Sequence, residues 1–134
     1  MCIRDSLKRM IWPFRRKSKK RIARIVIDEP ITSSTRVSVL KALKQIEDRE
    51  FPALIVRIDS PGGTVGDSQE IYSAIKRLKD KGCKVIASFG NISASGGVYI
   101  GVASDKIVAN PGTITGSIGA VSYTHLTLPT ILLV

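Results

Sequence analysis

The 134-residue chain has few of the residues that build metal centres and disulfide frameworks. It contains a single histidine, His125, and two cysteines, Cys2 and Cys83. One His and two widely separated Cys residues provide neither the ligand spacing of a zinc site nor a set of disulfides. The sequence therefore predicts a reduced chain without a metal site.

Long hydrophobic runs are also lacking. The two longest charge-free stretches, residues 85–104 and 107–134, are interrupted by Gly, Ser, Asn, Thr and Pro, unlike a helix that spans a bilayer. The basic N-terminus is not followed by the apolar core of a secretory signal. We therefore expect no transmembrane segment in this chain, and a location in the cytoplasm or peripherally at a membrane.

The net charge of +10 is concentrated at the N-terminus. Ten of the 21 Lys and Arg residues, but only one of the 11 acidic residues, lie within residues 1–24. Because the remainder is nearly neutral, no nucleic-acid partner is expected. Residues 11–21 combine Trp12 and Phe14 with a basic run, which suits an anionic membrane surface but equally a solvated arm. We assign residues 1–21 to a non-native start and this basic leader.

From residue 22 onwards, short β-branched runs alternate with segments of helical periodicity. Residues 24–27, 53–58, 85–89 and 106–109 are predicted strands, with the second covered on both faces. Helices are predicted around residues 37–46, from Thr64 or Asp67 to Gly82, and over residues 98–103. Gly90 and Asn91 are expected to turn the chain after the third strand. This order predicts an α/β fold of βαβ units with a mostly parallel sheet.

Two small-residue loops follow predicted strands. Residues 59–64, DSPGGT, and 93–97, SASGG, each precede a helix, and neighbouring crossover units bring such loops to the same sheet edge. Each alone is also explained by a plain turn or a helix cap, and Asp59 is expected to brace the turn at Pro61. Together, a serine and glycine N–H donors form two parts of an acyl-transfer site.

The motifs RIDSPGGTVGDSQEIYSAIK, ASFGNISASGGVYIG and SDKIVANPGTITGSIG resemble signal peptide peptidase A of serine peptidase family S49, with the ClpP/crotonase fold. The resemblance covers residues 22–119 and is greatest to the cyanobacterial and plastid type. It implies a serine endopeptidase that cleaves peptide bonds in released signal peptides or other short apolar chains. Peptide substrates and a homo-oligomer are the implied partners, and no cofactor is implied.

Carried over residue by residue, the resemblance makes Ser95 the nucleophile. Gly62 or its neighbour Gly63 would supply one oxyanion-hole N–H, and Gly96 the second. Ser117 and Gly119, together with Thr115, would line the substrate site. The general base of the family is a Lys that would lie beyond Gly119, in a segment absent from this chain.

Two residues could be mistaken for that base. Lys106 matches a strand-entry position of the family, and His125 has no carboxylate after it to orient the ring. Because a serine without a base is a poor nucleophile, the chain as given is expected to be inactive. A crotonase-type acyl-CoA enzyme and a non-catalytic membrane-surface scaffold are the alternative functions.

The ends of the chain depart from this pattern. MCIRDS at the start and the sequence of residues 121–134 resemble translated sequencing adapters, although a genuine last strand is an alternative for the latter. We therefore expect residues 22–120 to form the N-terminal half of the catalytic domain and residues 121–134 to be a non-native tail. With the C-terminal part missing, uncovered apolar surface should promote aggregation.

Overall fold

A computed structural model describes residues 21–119, so the predictions for the leader, the tail, Cys2 and His125 lie outside the described residues. The described chain folds into five strands and three helices in the order β1 (Ile22–Ile27), α1 (Ser33–Asp48), β2 (Ala53–Ser60), α2 (Val65–Asp80), β3 (Lys84–Ala94), α3 (Gly96–Gly101), β4 (Lys106–Val108) and β5 (Ile114–Gly116). The predicted α/β class is confirmed.

The strands form one parallel sheet in the order β1-β2-β3-β4, with β5 paired to the far end of β3. β4 pairs with β3 at Ile86 to Ser88, whereas β5 pairs with it at Ile92 to Ala94. On this side of the long strand β3, the first half is therefore paired with β4 and the last residues with β5. This arrangement fixes the chain just before Ser95.

The hydrophobic core lies between one face of the sheet and helices α1, α2 and α3. Burial alternates along β1 and β2, as expected when only one face of a strand is covered. The largest fully buried apolar side chains are Ile27, Ile31, Leu54, Ile58, Ile71, Ile75 and Ile100. On the opposite face, Val26 and Ile86 remain exposed. On β2, which was expected to be covered on both faces, the second face is half-buried within residues 21–119.

The helix ends follow the sequence in part. Gly82, where the second helix was predicted to end, has φ of +92°, the left-handed conformation common for a glycine just after a helix. Thr32 occupies the N-cap position of α1, but its side chain makes no capping hydrogen bond. Its hydroxyl instead lies 2.8 Å from Ser34 Oγ and 3.2 Å from Thr35 Oγ1. The Thr35 hydroxyl in turn lies 3.0 Å from both Glu29 Oε1 and Pro30 O, so the hydroxyls at the start of α1 bond to one another and to the segment after β1.

The predicted turn at Gly90 and Asn91 is wrong, because β3 continues through both residues to Ala94. The register explains how it does so: Ile58 pairs with Phe89 and Ser60 with Ser93. Two steps along β2 thus match four steps along β3, so that β3 bulges locally but keeps its direction. The short strand β5 was not predicted, since three residues carry too little pattern to be distinguished from a loop.

Candidate active site

The two small-residue loops meet at the carboxyl end of β2 and β3. A Cβ built on Gly62 would lie 2.8 Å from Ser95 Cβ and 2.9 Å from Gly96 N, closer than any real side chain could come. Gly62 also has φ of +102°, a conformation that favours glycine. The loop of residues 59–64 can therefore lie directly against Ser95 only because Gly62 has no side chain.

Ser95 is held in a conformation that is rare for a residue with a side chain. Its φ is +51° and its ψ is −116°, and such strain persists only where the surroundings enforce it. Its N–H donates to Gly116 O at 2.9 Å, and its carbonyl accepts from Tyr99 N at 3.0 Å. Strand β5 and helix α3 thus fix the backbone on both sides of this half-buried serine.

The diglycine loop is anchored to the segment after β1. Ile31 N–H donates to Gly62 O at 2.9 Å, and Thr64 N–H donates to Ile31 O at 3.0 Å. The buried Ser60 hydroxyl donates to Glu29 O at 2.8 Å and accepts from Gly62 N–H at 3.2 Å. The Gly62 N–H is therefore already bonded within the protein.

Beside Ser95 lies an open groove of about 240 Å³. Its lining residues are Gly63, Val65, Ser68, Gln69, Ser95, Gly96, Tyr99, Ile118 and Gly119. Val65 and Ile118 give it apolar walls, and the Tyr99 hydroxyl donates to Gln69 Oε1 on the opposite helix. The groove is open and its surface is mainly apolar, as is common for ligand sites.

The groove brings together most of the residues predicted for the site. Gly63, Ser95, Gly96 and Gly119 line it, whereas Gly62 supports Ser95 from behind. Ser117 lies in the same loop as Gly119 but is exposed and is not among the lining residues. Thr115 lies in β5, where it pairs with Ser93.

Sequence reasoning missed the groove residues contributed by helices. Val65, Ser68 and Gln69 lie within one turn at the start of α2, and Tyr99 lies one turn after Ser95. The sequence could have indicated them, because residues three or four apart share a helix face and these residues lie just after the two glycine loops. Only the tertiary structure shows that the first turn of α2 and the turn of α3 face each other.

No Lys, His, Asp or Glu is present among the described residues that line the groove. Lys106 pairs with Ile86, eight positions before Ala94, which places it roughly 20–25 Å along the sheet from Ser95. It cannot act on the Ser95 hydroxyl from there. Within residues 21–119, no group of three or more potential ligands that could hold a metal ion is found.

Asp59 does not brace the turn at Pro61 as predicted. One of its carboxylate oxygens accepts from Ile92 N–H at 3.0 Å, and the other from Asn91 Nδ2 at 3.3 Å. Backbone hydrogen bonds from Ile92 and Asn91 hold the pKa of Asp59 below its ordinary value. The carboxylate is thus committed to the bulge of β3.

A second cavity, of about 290 Å³, lies at the opposite end of the sheet, near Phe51 and the buried Cys83. Burial, with a smaller contribution from Asp105, raises the pKa of the Cys83 thiol, so that the thiol stays protonated and poorly nucleophilic at neutral pH. This cavity carries no sign of acyl-transfer chemistry.

None of the helices in the described part of the chain is both long and apolar enough to cross a membrane.

The fold is that of the ClpP-like proteases. A membrane protease from Pyrococcus horikoshii that is specific for a stomatin homolog superposes with a TM-score of 0.62, at 28% identity over 84% of this chain and 55% of its own. A ClpP1 mutant from Listeria monocytogenes superposes with a TM-score of 0.57, at 25% identity over 60% of this chain and 46% of its own.

The predicted resemblance to peptidase family S49 is confirmed. A sequence model of that family matches residues 77–130. A Synechocystis protein named as a protease, slr0021, is 62% identical over 84% of this chain and 40% of its own length. The chloroplastic serine protease SPPA of Arabidopsis thaliana is 45% identical over 57% of this chain and 11% of its own. The chain thus spans well under half the length of these relatives.

Proposed function

We propose that the protein carrying this chain is a serine endopeptidase in which Ser95 is the nucleophile. The observation that carries the proposal is the position of Ser95, on a strained turn against Gly62 and at the wall of an open groove. Strained backbone conformations concentrate at functional sites. The protease names of the relatives support the same activity.

The oxyanion of the tetrahedral intermediate would be held by the N–H groups of Gly63 and Gly96. Both residues line the groove beside Ser95. Of the two candidates for the first donor, Gly63 is the better, because the Gly62 N–H already donates to Ser60 Oγ. Each such donor stabilises a transition state by about 3 kcal/mol.

The proton of Ser95 would pass to a Lys supplied from outside residues 21–119, giving a Ser-Lys dyad. This follows from the S49 resemblance and from the composition of the groove, whose described lining offers no basic side chain. The S49 resemblance places this Lys after Gly119, and residues 120–134 contain no Lys. On this proposal the 134-residue chain by itself is inactive, and a Lys from elsewhere in the protein would complete the site.

The substrates we propose are short, apolar, extended peptides, including cleaved signal peptides. The apolar walls formed by Val65 and Ile118 would accept a side chain of moderate size. An Enterococcus faecium relative, 40% identical over 61% of this chain and 24% of its own length, is named signal peptide peptidase SppA. A homo-oligomer, and attachment of the basic leader to an anionic membrane, belong to the same proposal.

The test is covalent labelling of the intact protein with a fluorophosphonate probe, followed by peptide mapping. We expect acylation at Ser95, its loss in Ser95→Ala, and parallel loss of peptide hydrolysis. Ser38→Ala, which removes an exposed hydroxyl on α1, is the matched control and should label normally. Hydrolysis that persists in Ser95→Ala would refute the proposal, and an acyl-CoA enzyme would show no acylation at this position.

A further inference from the structure

The bulge in β3 lies only three residues before Ser95, and its geometry depends on one side chain. A Cβ built on Gly90 would lie 2.3 Å from Asp59 Cγ, so the Asp59 carboxylate occupies the space that any other residue at position 90 would fill. From there it accepts from Ile92 N–H and Asn91 Nδ2. The Asp59 side chain on β2 thus replaces the backbone hydrogen bonds that β2 and β3 cannot make across the bulge.

The residues after the bulge link it to Ser95 through their pairing with β5. Ile92 pairs with Ile114, and Ala94 pairs with Gly116, whose carbonyl accepts from Ser95 N–H at 2.9 Å. Thr113 Oγ1 donates to Gly90 O at 2.8 Å, which ties the start of the bulge to the same neighbouring segment. A change in the bulge would therefore shift the pairing of β3 with β5 and move Ser95.

We propose that Asp59 is a positioning residue for Ser95: its carboxylate sets the bulge of β3 and thereby holds the nucleophile at its strained turn against Gly62. The inference rests on the proposed function, because it assigns Asp59 a role only if Ser95 is the nucleophile. Asp59 acts through backbone geometry and takes no proton from the substrate. The lowered pKa of Asp59 agrees with a carboxylate that stays ionised as an acceptor.

The structure offers a matched control at the other end of the same strand. Asp105 Oδ2 accepts from Val85 N–H at 2.8 Å, so it too anchors β3 through a backbone N–H. Val85 lies ten residues before Ser95, beside β4 and away from the groove. A substitution at Asp105 reproduces the loss of a strand-anchoring carboxylate without touching the bulge.

The experiment measures kcat, KM and thermal stability of the intact protein with a peptide substrate. Displacement of a reacting group by about 1 Å costs on the order of 100-fold in rate, so Asp59→Ala should lower kcat by about 10- to 100-fold. KM should change by less than about twofold, since the groove itself is unaltered. Asp59→Asn keeps an oxygen for Ile92 N–H and should retain kcat within about fivefold of wild type.

Asp105→Ala should lose comparable thermal stability with kcat within about twofold of wild type. Equal losses of kcat in Asp59→Ala and Asp105→Ala would overturn the proposal, because they would show a general effect of loosening β3. If Asp59→Ala does not fold, Asn91→Ala tests the proposal instead, because it removes one exposed hydrogen-bond partner of the Asp59 carboxylate. A kcat about threefold lower than wild type would support the proposal, and an unchanged kcat would overturn it. Activity that survives Ser95→Ala would instead refute the proposed function.

Discussion

At the residue scale, the geometry of the site requires glycine at two positions where a side chain would have no room. Gly62 has both a positive φ and a position against Ser95 that leaves no room for a Cβ, and Gly90 leaves its space to Asp59. The sequence showed the glycines but not which of them were required by close approach. Gly66, in the first turn of α2, has no neighbour within 4 Å of a built Cβ.

This contrast predicts opposite effects of one substitution at two glycines. Gly62→Ala should lower the free energy of unfolding by at least about 1–3 kcal/mol, because alanine is strained at positive φ and would clash with Ser95. Gly66→Ala should raise it by about 0.4–1 kcal/mol, since the unfolded chain loses freedom and nothing in the helix is displaced. Urea denaturation measures both, and a Gly62→Ala protein as stable as Gly66→Ala would contradict this account.

At the element scale, strand β3 carries most of what the site needs. It pairs with three neighbours, its start is anchored by Asp105, and its end is directed by the bulge at Gly90. Its first half was predictable from the β-branched run at Val85. Its second half was not, because glycine and asparagine ordinarily mark a turn, whereas here hydrogen bonds with Asp59 and Thr113 and the pairing with β5 accompany an extended chain.

Acid should destabilise the fold in part through Asp105. The N–H of Val85, followed by Lys79 and Lys84, holds the pKa of this carboxyl below its ordinary value of 3.8. The unfolded chain therefore binds protons at a higher pH than the folded chain. The stabilisation is fully present above that value and is lost as the pH falls through it towards the folded pKa.

Urea denaturation between pH 7 and pH 2 checks this expectation. Asp105→Asn should be less stable than wild type at pH 7, and the difference should shrink as the acid removes the same charge from wild type. Asp80→Asn, at an exposed position at the end of α2, is the control for the loss of one negative charge. A constant gap between wild type and Asp105→Asn at all pH values would refute the assignment.

At the scale of the whole molecule, the sheet has one open face. Val26, Ile86 and Val108 are exposed by 44%, 39% and 49%, and within residues 21–119 no element covers them. The sequence predicted that β2 is covered on both faces, which is typical of strands in parallel sheets. Exposed apolar patches of this kind mark surfaces that other parts of a protein, or other molecules, cover.

The 134-residue chain should therefore self-associate through this face. We expect Val26→Lys and Ile86→Lys to reduce binding of the dye ANS and concentration-dependent association in sedimentation, because a charge opposes apolar contact there. Val37→Lys, at an apolar position on α1 that is 57% exposed, is the matched control and should change neither. An equal effect of all three substitutions would show that net charge alone controls association.

The sequence by itself determined the alternation of strands and helices, the fold class, and the two loops that carry Ser95 and the glycines. Those features are local: periodicity, turn residues and short motifs act over a few neighbouring positions. Only the tertiary structure decided that Gly62 lies against Ser95, that Gly63 rather than Gly62 faces the groove, and that Asp59 supports β3 and not its own turn. Each of these depends on contacts between residues about thirty positions apart, whose geometry is set by sheet register, and no local pattern encodes a two-residue bulge.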